Sequence, residues 1–202
     1  MSRPKAEATE IQVASITRGS RVNGPGTRTV LHLQGCTLKC RGCFNTHTWS
    51  SIGGRLLSVE ELADRLDGSE GLTVSGGEPF QQYESLVALL SFVKKLNPQR
   101  SVIVFTGYTR DELIDMGKYE GLNEIIDVLV SGRYEMDNPN ERKGSLLASN
   151  NQEYILLTKR HTKQELFNLE GDVEVIIDEA GNYKVTGFPS VKVITEFKRS
   201  TI

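Results

Sequence analysis

The stretch Thr29-Val-Leu-His-Leu-Gln-Gly-Cys36-Thr-Leu-Lys-Cys40-Arg-Gly-Cys43 decides how this chain is read. Thr29 to Leu33 is an apolar, β-branched run of the kind that forms a buried strand. The chain then passes directly into a C-x3-C-x2-C cluster. Three thiolates within eight residues converge on one centre if the loop wraps around it. Gly35 and Gly42 permit the close backbone approach that such wrapping requires. All three cysteines of the chain fall in this loop, and a disulfide framework would instead spread an even number along the sequence. The cluster therefore points to metal or redox chemistry in a reducing compartment.

Working outward, Leu72 to Ser75 reads as a second short strand, ending at Gly76-Gly77-Glu78-Pro79. Gly76 lies 33 residues after Cys43, room for one helix and a return strand. Ser58 is a helix N-cap with Glu61 three residues on, opening a helix through Leu66. Leu86, Leu89, Leu90, Val93 and Leu96 recur at helical spacing, with Pro98 just beyond. Ser101 to Thr106 predicts a strand, Arg110 to Met116 a short helix, and Ile125 to Val130 another strand. Ile11 to Ile16, Tyr154 to Leu157, Val173 to Ile177 and Tyr183 to Thr186 complete the set, with Glu179 to Asn182 as a hairpin turn.

Strands alternating with helices imply βαβ units and an α/β fold with mostly parallel strands. Four or five units in the first 160 residues are too few for a closed barrel of eight, so an open, partial (βα) barrel is expected. Residues 1–160 would form its core and 161–202 a β-rich C-terminal extension, within a single domain. The carboxyl edge of the strands, where barrel active sites are built, would carry both the cysteine loop and the Gly-Gly-Glu-Pro turn.

Composition narrows the function classes. A length of 202 residues suits one domain at about 150 residues each. Lysine and arginine total 24 against 26 acids, a formal charge of −2, which gives no electrostatic footprint for nucleic acid or an anionic membrane. No apolar run approaches the ~18 residues of a membrane span. The first ten residues lack the apolar core of a signal peptide. A cytoplasmic location is expected.

Iron–sulfur cubes usually take four cysteines, and here one iron would lack a protein ligand. By analogy with catalytic zinc, such an open position is where a substrate or cosubstrate binds. His47, four residues after Cys43, leaves a structural Cys3His zinc site as the rival use of the same thiols.

Cys36, Cys40 and Cys43 together with Gly76-Gly77-Glu78-Pro79 resemble the signatures of the radical S-adenosylmethionine (SAM) superfamily. Phe44-Asn45 after the third cysteine, with Trp49 beyond, is similar to the anaerobic ribonucleotide reductase activating type of glycyl-radical-enzyme activases. Phe105-Thr-Gly-Tyr-Thr109, Asp127 to Tyr134 and Ser149 to Gln152 match that type more loosely, and Asn23 to Arg28 resembles its lead-in or is a flexible Gly-Pro turn. The resemblance spans Val13 to Leu157. It implies that the three cysteines hold a [4Fe–4S] cluster and that SAM chelates the fourth iron. Gly76, Gly77, Glu78 and Pro79 would position the methionine end of SAM. Gly42, Phe44, Thr106, Ser131 and Asn151 would contact the remainder, with Ser131 standing where an acid is common. No protein acid or base is implied.

The implied partners are a glycyl radical enzyme and a flavodoxin or ferredoxin electron donor, since no cysteines remain for auxiliary clusters. Two other readings stay open at this point. One is a radical SAM enzyme for a small molecule or peptide, akin to 7-carboxy-7-deazaguanine synthase, whose members tend to carry Asp-Thr where this chain has Phe44-Asn45. The other is a zinc-stabilised binding module without catalysis.

Overall fold

The computed structural model describes residues 9–188, apart from 67, 178 and 182. One sheet is built from β1 (Glu10–Ser20), β2 (Arg28–Leu33), β3 (Arg55–Ser58), β4 (Gly71–Gly76), β5 (Ser101–Thr106), β6 (Val128–Ser131) and β7 (Glu153–Leu156). Their spatial order is β3-β1-β2-β4-β5-β6-β7. The central four, β2, β4, β5 and β6, run parallel. They are linked in turn through α1 (Val59–Leu66), α2 (Tyr83–Leu96) and α3 (Arg110–Asp115). There are thus three crossovers rather than four or five. The shortfall arises at the flanks, because β1, β3 and β7 run antiparallel to their neighbours and finish the sheet without adding units.

The alternation of side chains along each strand supplies two cores. Leu31 and Leu33 of β2, Leu72 and Val74 of β4, and Val102 and Val104 of β5 share one cluster with α1 and α2. Leu62 and Leu66 of α1 and Leu86, Leu89, Leu90 and Val93 of α2 fill its other side, all buried. The opposite set, Ile103, Val128, Val130 and Tyr154, packs with Leu146, Leu166, Phe167 and Phe188. The helix starts follow capping chemistry. Ser58 Oγ accepts from Glu61 N at 3.2 Å at the head of α1, and Thr109 and Glu112 form a reciprocal capping box on α3.

Most boundaries agree with the sequence to within a residue or two. β1 runs on to Ser20 rather than stopping at Ile16, through register shifts that admit polar residues. β6 begins at Val128, because Ile125 closes a 3-10 turn over Leu122–Glu124.

The expected C-terminal hairpin is present as β8 (Val173–Ile177) and β9 (Tyr183–Gly187), paired antiparallel. Residues 178 and 182 of its turn, Pro189 and the following tail lie outside the described residues. Glu174 accepts from Ser20 Oγ and Arg21 N, Asn23 Nδ2 donates to Thr186 Oγ1 at 2.9 Å, and the Phe105 and Phe188 rings lie 5.7 Å apart. Among the described residues, no helix is long and apolar enough to cross a membrane.

At the amino ends of the parallel strands, Arg28 is buried. Its guanidinium donates to Thr73 Oγ1, Pro25 O, Leu72 O and both the hydroxyl and carbonyl of Ser101. Burial pulls its pKa down to about 9, which leaves it charged at neutral pH. The Asn23 to Arg28 segment is therefore anchored, not a flexible turn: Asn23 is buried and its carbonyl accepts from Thr73 Oγ1 at 2.7 Å.

Candidate metal centre

The carboxyl ends of β2, β4, β5 and β6 meet at one edge of the sheet, and the cysteine loop leaves from the first of them. The loop is closed at its base by a short ladder. Gly35 N donates to Thr48 O at 2.8 Å and Cys36 N to Trp49 O at 3.0 Å. Gln34 Nε2 adds a bond to Ser50 O at 2.7 Å. Between these anchors Lys39 takes a left-handed conformation (φ 46°), and Cys43 N donates to Cys40 O at 3.1 Å, so the backbone doubles back. All three cysteines are free thiols and half-buried. Burial pushes the Cys36 thiol up, against the opposing amides of Lys39 and Leu38.

The Gly-Gly-Glu-Pro turn is stitched to this loop through backbone. Gly77 N donates to Leu33 O and Glu78 N to Gly35 O, each at 2.8 Å. Gly76 has φ 98°, and a Cβ there would lie 2.7 Å from Leu33 N, so only glycine fits. A Cβ on Gly77 would run into the Gly35 carbonyl. Pro79 opens a 3-10 turn through Gln82.

Glu78 is buried, and its carboxylate collects three donors: Phe80 N at 3.0 Å, Thr106 Oγ1 at 2.9 Å and Gly107 N at 2.7 Å. Burial raises its pKa to about 7, in spite of these bonds and the nearby Arg133. One carboxylate thus ties the end of β5 to the turn after β4.

Of the residues expected here, Cys36, Cys40, Cys43, Gly42, Gly76, Gly77, Glu78, Pro79 and Thr106 come together at this edge. Ser131, at the end of β6, is buried and donates to Tyr108 O at 2.9 Å, so its hydroxyl serves the neighbouring loop. Asn151 Nδ2 donates to Arg133 O at 2.7 Å and so holds the segment that follows β6. Phe44 is exposed. Trp49 is half-buried, and its indole Nε1 is buried without a partner.

Several contributors to the edge had no local motif to announce them. Met136 packs against the loop at Gly42, where a Cβ would meet its Sδ at 2.6 Å. Arg41 pairs with Asp137 at 3.2 Å. Arg133 pairs with Glu112 at 2.8 Å and lies over the Tyr108 ring at 5.7 Å. Gln81 reaches Thr37 and Tyr108.

The donor chemistry fits an iron–sulfur cluster: three free, half-buried thiols lie in one glycine-bearing loop whose base is held by Glu78 N donating to Gly35 O. The His47 ring is exposed, and it is the His47 carbonyl that Gln34 Nε2 approaches, at 3.4 Å. Among the described residues, no three His, Cys, Asp or Glu side chains gather as ligands of a single metal ion.

Residues 22–155 match the 4Fe-4S single cluster domain family. Over 130 residues the chain is 38% identical to the anaerobic ribonucleoside-triphosphate reductase-activating protein of Enterobacteria phage T4, an alignment covering 60% of this chain and 80% of that relative. The protein of the same name from Pasteurella multocida is 37% identical over 126 residues, 57% of this chain and 79% of its own length. That from Escherichia coli K12 is 32% identical over 125 residues, 57% and 80% respectively.

Proposed function

The chain belongs to the 4Fe-4S single cluster family and to the anaerobic ribonucleoside-triphosphate reductase-activating proteins, and from this premise we propose that it is a radical SAM activase. Its partner in this reading is an anaerobic ribonucleotide reductase on which it generates a glycyl radical. Its electron comes from a flavodoxin or ferredoxin. The sheet is read as a partial (βα) barrel, with a core over 1–160 and an extension over 161–202. The cluster, held by Cys36, Cys40 and Cys43, would supply one electron for reductive cleavage of SAM, and that chemistry would remove a hydrogen atom from the partner's glycine.

The chain's own residues hold and orient these groups. Cys36, Cys40 and Cys43 would ligate three irons, and no cysteine remains for the fourth. Gly76 and Gly77 leave backbone accessible at the strand edge, where the methionine end of SAM would lie. Glu78 fixes that edge through Thr106 and Gly107, which keeps the turn rigid beneath it. Gly42, Phe44, Pro79, Ser131 and Asn151 belong to the proposed surroundings of SAM, the last two by holding the loops after β5 and β6.

The observation that carries this reading is the direct backbone stitching of the cysteine loop to the Gly-Gly-Glu turn, from Gly77 to Leu33 and from Glu78 to Gly35. The test is anaerobic reconstitution followed by incubation with SAM, a reductant and an anaerobic ribonucleotide reductase. Four irons and four sulfides per chain, and a glycine-centred paramagnetic signal on the reductase, are expected. One zinc per chain without sulfide, or a loaded cluster that cleaves no SAM, would overturn it.

A further inference from the structure

Two adjacent glutamines leave the 3-10 turn after Glu78 and divide the work of anchoring β2 and the loop beyond it. Gln82 Nε2 donates to Gln12 O and Gln34 O at 3.0 Å each, and so holds the end of the strand. Gln81 reaches past the first cysteine. Thr37 N donates to Gln81 Oε1 at 3.1 Å, and Gln81 Nε2 donates to Thr37 Oγ1 at 2.6 Å and to the Tyr108 hydroxyl at 3.3 Å. The orientation of this amide is dictated chemically. A backbone N–H only donates, so the amide oxygen must face Thr37 N, which turns the NH2 group toward the two hydroxyls.

We propose that Gln81 is a positioning residue for the cluster, a side-chain clamp that fixes the residue after Cys36 and so sets where the first thiolate points. The inference rests on the reading of Cys36 as a cluster ligand. Cys36 is held on its amino side by its own N–H to Trp49 O, and by the Gly35 carbonyl accepting from Glu78. On its carboxyl side, Gln81 fixes Thr37 at both its amide and its hydroxyl. The bond to Tyr108 extends the clamp to the loop after β5, so that the turns following β2, β4 and β5 share one amide group.

Two variants test this. Gln81→Ala removes all three bonds from a half-buried turn position and leaves the apolar core untouched. Gln81→Glu keeps an acceptor for Thr37 N, while both hydroxyls can rotate to donate to its second oxygen. In the cluster-free chain, Gln81→Ala is expected to speed hydrogen exchange at the Thr37 amide about tenfold, the scale of one lost hydrogen bond. After anaerobic loading, it is expected to release iron to a chelator several-fold faster than wild type. Gln81→Glu should restore both rates, and its added negative charge should shift the cluster's reduction potential to more negative values, which loosening alone does not do.

Unchanged exchange at Thr37, or unchanged iron release in the alanine variant, would overturn the proposal. A wild-type chain that takes up no cluster would instead overturn the functional reading, and Thr37 exchange would then decide alone whether Gln81 holds the loop.

Discussion

Gly77 rests so closely on Gly35 that a Cβ on Gly77 would enter the space of the Gly35 carbonyl oxygen. The contact joins the two motifs at backbone level, so neither can shift without the other. Gly77→Ala should therefore cost about 2 kcal/mol, as overpacking against unyielding atoms does. That lowers the melting temperature by roughly 4–8 °C for a chain of this size. Gly117→Ala is the control. Gly117 has φ 66° but open space around it, so only the backbone term of about 1 kcal/mol applies. Gly77 has no left-handed φ and so carries none of that backbone term; a loss at Gly77 below about 0.5 kcal/mol in thermal unfolding would show that the Gly35 carbonyl gives way and the contact is not limiting.

Cys40→Ala separates ligand from fold. The thiol is half-buried in a loop closed by backbone bonds, and none of the three cysteines belongs to either apolar cluster. The cluster-free variant should unfold within about 0.5 kcal/mol of wild type. After anaerobic reconstitution its iron and sulfide content should fall to near background. A variant that still binds four irons and cleaves SAM would remove Cys40 from the ligand set.

The parts legible in sequence are those whose cause is local. Ser101 to Thr106 was readable to the residue because a strand buried on both faces is a short apolar run. The cysteine loop and the Gly-Gly-Glu-Pro turn were readable because each carries its chemistry within a few residues. What escaped depends on distant partners. Arg28 is locked by Leu72, Thr73 and Ser101, between 44 and 73 residues away, so its segment reads in sequence equally as a family lead-in or as a loose Gly-Pro turn. The strand at Arg55–Ser58 escaped because it lies at the edge of the sheet, with Leu56 exposed and little periodicity. A glutamine in a 3-10 turn likewise gives no hint that Gln81 reaches Thr37, 44 residues earlier.

Glu78→Gln tests the buried carboxylate as a hub. Phe80 N and Gly107 N are donors that point at different oxygens of Glu78. An amide offers one oxygen and one nitrogen, so one of these N–H groups must face an NH2 group. Leaving a buried donor unsatisfied costs about 1–3 kcal/mol. The urea midpoint should fall accordingly, with the slope unchanged. A variant as stable as wild type would mean that the carboxylate is not what ties β5 to the turn.

Arg28→Lys addresses the opposite edge. The planar fork satisfies acceptors on β4, on β5 and in the Pro25 turn at once, whereas an ammonium on a shorter reach presents three donors from a single point. With Leu72 O, Ser101 O or Pro25 O then left without a donor, a loss of about 2–3 kcal/mol is expected from equilibrium unfolding. A loss below about 0.5 kcal/mol would show that the buried positive charge, and not the fork, is what the site needs.

Asp127 provides the acid limb of stability. It is buried, and Val102 N, Lys94 Nζ, Thr158 Oγ1 and Arg160 Nε donate to its carboxylate at 2.8, 2.9, 2.7 and 3.3 Å. Burial pushes its carboxyl up, but the Val102 amide, the Thr158 hydroxyl and Lys94 outweigh it and hold the pKa below the usual aspartate value. The folded state therefore binds this proton less readily than the unfolded chain, whose aspartates titrate near about 3.9. The resulting stabilisation is complete above that value and is lost as pH falls through the lower folded value. Asp127→Asn leaves Lys94 and Arg160 facing a neutral amide, at a cost of about 3 kcal/mol at neutral pH. The gap between wild type and variant should then narrow below about pH 4, because protonated aspartate and asparagine are both uncharged. Urea unfolding across that range reads the gap directly. A gap that is missing at neutral pH, or that persists undiminished to about pH 2, would take Asp127 out of this role.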